Sequence, residues 1–159
     1  MELKRFYLSN RLYFITNVTE NRKDTFSSEV NIKMLLNIFD FYRKKYEFKI
    51  VAYCILPDHF HCLVIPSGKA DVSKIMKGIK AYSAKEINRL NGWKGELWQH
   101  QFLDHIIRQD EDYRSHIDYI HKNPVKHGLV KSAEEYQWSS YRNYYLDDNT
   151  IFKVDKINM

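Results

Sequence analysis

Glycine and proline are scarce, at five and three in 159 residues. That excludes a collagen-like or low-complexity chain and leaves no flexible linker to divide it. Cysteine is scarcer still. Cys54 and Cys62 are the only two, too few for a disulfide-framed miniature domain, and their spacing fits no common zinc pattern. Free buried thiols are expected, with a cross-hairpin disulfide as the alternative. No apolar run approaches the roughly 20 residues that a membrane helix needs. The opening stretch, MELKRFYLSNRLYFITNV, is basic, but its apolar part is too short and interrupted for a signal peptide. A cytoplasmic protein with no membrane partner is expected.

What is present points to one globular domain over 1–159. Hydrophobic residues make up 44% of the chain, enough for a sizeable core. Aromatic residues are plentiful, with 12 Tyr, 9 Phe and 3 Trp. Most should fill the core, although rings interleaved with cations can also stack bases. The formal net charge of +5 and a pI near 9.1 are compatible with a phosphate-rich partner.

The segment YCILPDHFHCLVIP, residues 53–66, reads as two strands joined by a turn at Leu56-Pro57-Asp58. Side chains two apart on a strand face the same way. His59 and His61 therefore share one face, and Phe60 and Cys62 share the other. Two imidazoles on one strand can form half of a divalent-metal site; alone they are as readily two hydrogen-bonded histidines.

Around this hairpin the pattern is regular. Arg11–Val18 alternates and is rich in β-branched and aromatic residues, a first strand. Thr19–Ser28 is a polar loop, with Ser28 placed to cap a helix. Ile32, Leu35, Leu36, Phe39 and Tyr42 recur at helical spacing. A second strand covers Phe48–Ile55 and a third His59–Ile65. Asp71 can cap the next helix, whose apolar stripe is Val72, Ile75, Met76, Ile79, Tyr82 and Ile87. Lys74, Lys77 and Lys80 fall opposite that stripe. They are candidate contacts for a nucleic-acid backbone, as are Lys4, Arg5 and Arg11 near the first strand. Asn91-Gly92 closes the helix. A fourth strand lies within Trp98–Arg108. A last helix starts at Gln109-Asp110, turns Tyr113, Ile117 and Ile120 inward, and ends before Pro124. Residues 132–159 form a C-terminal appendage.

The order β-α-β-β-α-β, followed by one more helix, is an α+β, ferredoxin-like arrangement with an antiparallel sheet. On the last helix Tyr119 and Asn123 are four apart and share a side with His116.

The hairpin resembles the HUH motif, two histidines flanking a hydrophobic residue, here His59, Phe60 and His61. HIDYIHKNPVKHGLV resembles the helix that carries the nucleophile in single-tyrosine transposases. LWQHQFLDHIIRQDEDY before it and EEYQWSSY after it add to the likeness. Together these stretches are similar to the REP-associated tyrosine transposases, relatives of the IS200-like transposases. The resemblance implies that Tyr119 is the nucleophile and that His59, His61 and Asn123 hold magnesium or manganese. It also implies single-stranded DNA beside imperfect hairpins as substrate, and a protein that works as a monomer or a homodimer.

The residue types suit that chemistry. A phosphodiester is anionic and repels nucleophiles, so a cation on the phosphate lowers the barrier. Magnesium prefers oxygen ligands, and a two-histidine site favours manganese. A phenol of pKa about 10 needs help to lose its proton, and His116, one turn from Tyr119, is the candidate proton acceptor. Two other readings compete. One is a hairpin-binding module of the same fold without catalysis; the other is a metal-dependent phosphodiesterase that uses water and dispenses with Tyr119.

Overall fold

The computed structural model describes residues 11–108 and 110–157. Four strands form one antiparallel sheet: β1 (Leu12–Val18), β2 (Lys49–Leu56), β3 (His59–Ile65) and β4 (Leu103–Ile107). Their spatial order is β2-β3-β1-β4, and every neighbouring pair runs antiparallel. Helix α1 (Glu29–Tyr46) links β1 to β2, and α2 (Val72–Asn91) links β3 to β4. Each helix thus crosses between strands that have one other strand between them. This is the ferredoxin-like α+β layout expected from the pattern.

Strand alternation divides the interior in two. Tyr13, Ile15, Phe60 and Cys62 pack with the helical layer, including Leu35 and Phe39 of α1 and Ile75 and Ile79 of α2. Full burial of a Leu, Ile or Phe side chain contributes roughly 1.5–3 kcal/mol. The opposite face carries Leu12, Cys54, Leu56 and Leu63, covered by Ile117 and Ile120 of α3 (Asp110–Lys126). Cys54 and Cys62 are both buried and free. They belong to opposite faces, which removes the cross-hairpin disulfide.

Ser28 and Asp71 cap their helices as their sequence positions indicate, accepting from the amides of Asn31 and Lys74. Gly92 ends α2 in the left-handed region at φ 66°. Gly78 serves packing instead. A Cβ there would come within 2.6 Å of the Tyr42 ring, so the missing side chain is what lets that ring lie against α2.

The structure corrects several expectations. Tyr82 is not part of the buried stripe. It is exposed and stacks on Phe41, and Ser83 takes the inward place, where its hydroxyl accepts from the Trp98 indole. The fourth strand occupies Leu103–Ile107, close to the centre expected at 102–107 within the segment 98–108, and Trp98 lies outside it, joined to Thr19 by an isolated bridge. The loop at 19–28 holds two short 3-10 turns. Pro124 does not end the last helix. The chain stays helical past it to Lys126 because the amides of His127 and Leu129 still reach the carbonyls of Asn123 and Pro124. The left-handed Gly128, at φ 72°, follows the helix end.

Residues after 131 finish the sheet. The amide of Ile55 donates to Trp138, and those of Ser140 and Asp155 donate to Tyr53 and Ile50. This covers the outer edge of β2, which would otherwise offer unpaired backbone to another chain. A short helix, α4 (Tyr141–Tyr145), packs beside His121 of α3. His121 is buried, with Nε2 2.8 Å from the Ser140 hydroxyl.

Burial pushes the His121 imidazole down from 6.5 to about 4. Its folded-state value lies below its unfolded one, so between those values the unfolded chain binds the extra proton. Stability is therefore lost as pH falls from about 6.5 towards about 4, by up to ~3 kcal/mol from this group. His121→Gln keeps a donor for Ser140 and removes the titration. Denaturant unfolding at neutral and mildly acidic pH should show a smaller acid loss in the variant. An equal loss in both proteins would assign the acid sensitivity to other groups.

No helix among the described residues is long and apolar enough to cross a membrane.

Candidate active site

The end of the sheet where β3 begins carries the site. Thr16 and Val18 of β1 lie beside His61 and His59 of β3, pair by pair in the register. All four face the α3 side. Tyr119, His116 and Ser115 of α3, with Lys126 and His127 at its end, form the opposite wall. The cavity between them is about 710 Å³ and also touches Phe14, Arg22 and Leu103.

The turn that holds His59 is pinned from several directions. The amides of Thr19 and Phe26 donate to the carbonyls of Asp58 and Pro57. The Asp58 carboxylate pairs with Arg22 at 3.1 Å and lies 2.6 Å from His59 Nδ1. A carboxylate only accepts, so Nδ1 must be the donor. Nε2 of the neutral ring is then left as an acceptor. Burial pushes Asp58 up, but the hydrogen bond and charge of His59, with those of Arg22, outweigh it and hold the carboxyl below its usual range.

His61 is fixed in a parallel way. Its Nδ1 lies 2.8 Å from the Thr16 hydroxyl. Its ring stacks on Phe14 and meets His59 at 4.8 Å between centroids. Burial, then the nearby His59, pushes His61 down to about 3. Burial also lowers His59, with Asp58 opposing. Burial thus favours the neutral form of both rings, the form in which an imidazole binds a metal.

Tyr119 is 41% exposed. Its ring lies 5.4 Å from that of His61 and 5.9 Å from Phe14, with the Lys126 ammonium 5.4 Å above it. Asn123 is 1% exposed, one turn further along α3, and its amide nitrogen reaches the Tyr119 carbonyl at 3.4 Å. It sits within the helix and does not cap it. His116 packs on Phe14 and stacks on His105 at 5.3 Å.

Two buried polar atoms, His61 Nε2 and Asn123 Oδ1, have no hydrogen-bond partner among the described residues. An orphaned buried acceptor costs roughly 1–3 kcal/mol, and ligation of a cation offsets that cost. Asn123 Oδ1, and His61 Nε2 in the tautomer with Nδ1 protonated, are of the type that a divalent metal takes as ligands. Among the described residues no three His, Cys, Asp or Glu side chains converge as a metal cage.

The candidate DNA contacts are scattered. Arg11 stands at the far end of β1 from His59, ~20 Å away at about 3.3 Å per residue. Lys74, Lys77 and Lys80 are on α2, behind the sheet from the histidines. The Lys80 ammonium donates to the carbonyls of Gln99 and His100 at 2.8 and 2.9 Å. Lys4 and Arg5 lie outside the described residues. Phe14, Thr16, Asp58, Lys126 and His127 were not singled out by sequence reasoning, although Asp58 adjoins the histidine pair. His127 faces His59 at 5.4 Å between ring centroids, and the histidine in KHG was the available signal.

Asp58→Asn keeps the shape of the turn but weakens the hold on the His59 tautomer. Loss of a carboxylate behind a metal-binding histidine typically costs 10–100-fold in metal affinity. That range is expected from manganese titration of the variant, and an unchanged affinity would show that the pair serves the turn alone.

Known proteins share this fold. The family model described as "Transposase IS200 like" matches residues 7–123. The REP-associated tyrosine transposase of Escherichia coli is 34% identical over 141 residues, which cover 88% of this chain and 82% of that protein. A solved structure of a REP-associated tyrosine transposase bound to a REP hairpin superposes with a TM-score of 0.77 at 30% identity, covering 100% of this chain and 94% of the other. A Deinococcus radiodurans chain, 22% identical with a TM-score of 0.54, shares the fold over 77% of this chain and 97% of its own.

Proposed function

Because the chain belongs to the IS200-like transposase family, we propose that it cleaves and rejoins single-stranded DNA beside hairpin repeats, with Tyr119 as nucleophile. The observation that carries this reading is the approach of Tyr119 to His61, 5.4 Å between ring centroids within one chain. Their neighbours supply what the reaction needs. The likeness to a hairpin-bound relative supports hairpin DNA as the partner.

His59, His61 and Asn123 would hold the divalent ion, magnesium or manganese. When bound, such an ion withdraws charge from a phosphate oxygen and favours attack at phosphorus. The remaining work falls to the chain. Asp58 and Thr16 hold the two imidazoles in one orientation, so no reorganisation is needed as charge develops. Phe14 packs against His61, His116 and Tyr119 and sets the spacing of wall and floor. Lys126 and Arg22 bring positive charge to a cavity that must accept an anion.

The Tyr119 oxygen attacks phosphorus and gives up its proton, with His116 as the acceptor. The bond from phosphorus to the 3′ oxygen breaks, and that oxygen leaves as a 3′-hydroxyl after gaining a proton. The product is a 5′-phosphotyrosine. Attack by another DNA 3′-hydroxyl reverses the step and joins a new strand. With nucleophile and histidines in one chain, a monomer can assemble the whole site.

The test is a denaturing-gel assay. Protein and manganese are incubated with end-labelled single-stranded repeats from beside its own gene. A slow covalent band is expected. Cleavage without a band would move the mechanism to a water-using phosphodiesterase, and hairpin binding without cleavage would leave a binding module.

A further inference from the structure

A second concavity lies on the other side of the sheet, between α2 and residues 96–102. We propose that this groove receives single-stranded DNA that leaves the histidine cavity around the edge of β4, a reading that rests on the strand-cleaving function above.

Three observations support the path. The first is topological. β4 is the outermost strand beyond β1. Leu103, its first residue, lines the histidine cavity and is 70% exposed. Phe102, the residue before it, lines the groove. Neighbouring residues of an extended chain face opposite ways, so the two concavities are separated by the thickness of one edge strand. Among the described residues, a strand running between them has only that edge to round.

The second is the groove itself. Its volume of about 420 Å³ falls in the range of roughly 300–1,000 Å³ common for ligand sites. Lys77, Ala81 and Ala84 bring one face of α2 to it, and the two alanines keep that wall flat. Phe102 stands against the wall as a half-buried ring, and a base is held by stacking on such a surface. The segment opposite α2 is irregular, but Lys80 ties it down through the carbonyls of Gln99 and His100. The groove is thus formed before a ligand arrives.

The third is charge. Lys77 and Lys80 line the groove with one acid, Glu96, and the balance is positive. Lys77 is exposed and in place to meet a phosphate. Stacking on Phe102 and one or two phosphate contacts would recognise a strand without reading its sequence, as befits a flank held while Tyr119 acts on a bond elsewhere.

The test is fluorescence anisotropy with labelled oligothymidylate, made on the Tyr119→Phe protein at several salt concentrations. With a chelator present no strand is cut by either Tyr119 or metal-activated water, so the outcome does not depend on which of them does the chemistry. Phe102→Ala should weaken binding by ~5–100-fold. Lys77→Glu should lower the salt slope by about 0.7 or more, and Ala81→Trp should weaken binding by filling the groove. The last two substitutions are at exposed positions and spare the core, so they decide the matter if Phe102→Ala folds poorly. Unchanged affinity and slope in both would overturn the proposal. Tighter binding of oligouridylate than of oligothymidylate would overturn the choice of DNA.

Discussion

Phenylalanine at position 119 is expected to abolish strand cleavage and the covalent band, lowering the rate by ~10⁴-fold or more, as loss of a nucleophile does. The substitution removes one oxygen and keeps the ring, so the packing on Phe14 and His61 survives. Tyr119 is 41% exposed, and folding stability should stay within about 0.5 kcal/mol of wild type. Hairpin affinity should be largely retained, because it comes from many contacts to the DNA backbone. The pair of measurements is decisive. Cleavage that persists in a well-folded variant would remove Tyr119 from the chemistry.

Asn123→Leu should separate activity from stability in the opposite sense. Asn123 is 1% exposed, and its Oδ1 has no partner among the described residues. Leucine is close in size, forms helix better than asparagine, and removes the orphaned acceptor. A gain of about 1 kcal/mol is expected in metal-free denaturant unfolding. Cleavage should fall by ~100-fold or more if, as proposed, the amide oxygen is the third member of the donor set. Manganese affinity should fall in parallel. A variant that is destabilised and still cleaves would mean that the amide serves α3 and not the metal.

The two variants rest on features of different legibility. The strand–turn–strand around the histidines could be read from a period of two, and each helix from a period near 3.6, because those periodicities are local and follow from backbone geometry. The same local rules place Ser28 and Asp71 at helix starts and Gly92 at a helix end. The likeness of HIDYIHKNPVKHGLV to a tyrosine-bearing helix singled out Tyr119 and Asn123 without any knowledge of the fold.

Other features depend on partners distant in the chain. Thr16 meets His61 through the register of β1 and β3, which are separated by a whole helix and strand. Phe14 joins the site by the same register. Lys80 was expected as a contact for a nucleic-acid backbone, but its ammonium is occupied by a segment some 20 residues further on. Pro124 was expected to stop the helix, since proline lacks an amide and restricts the preceding residue. The packing of Ile117 and Ile120 against β2 and its neighbours, with Pro124 itself buried, outweighs that preference.

By itself, then, the sequence determined the elements, their order and the face of β3 on which His59 and His61 stand, since each follows from short-range periodicity. Tertiary structure decided which side chains reach those histidines, that Cys54 and Cys62 are kept apart on opposite faces, and that Asn123 Oδ1 is buried without a partner among the described residues. Those outcomes depend on strand register and on the way α3 packs across the sheet. Both are long-range contacts whose energies are summed over many side chains, and no local pattern encodes them.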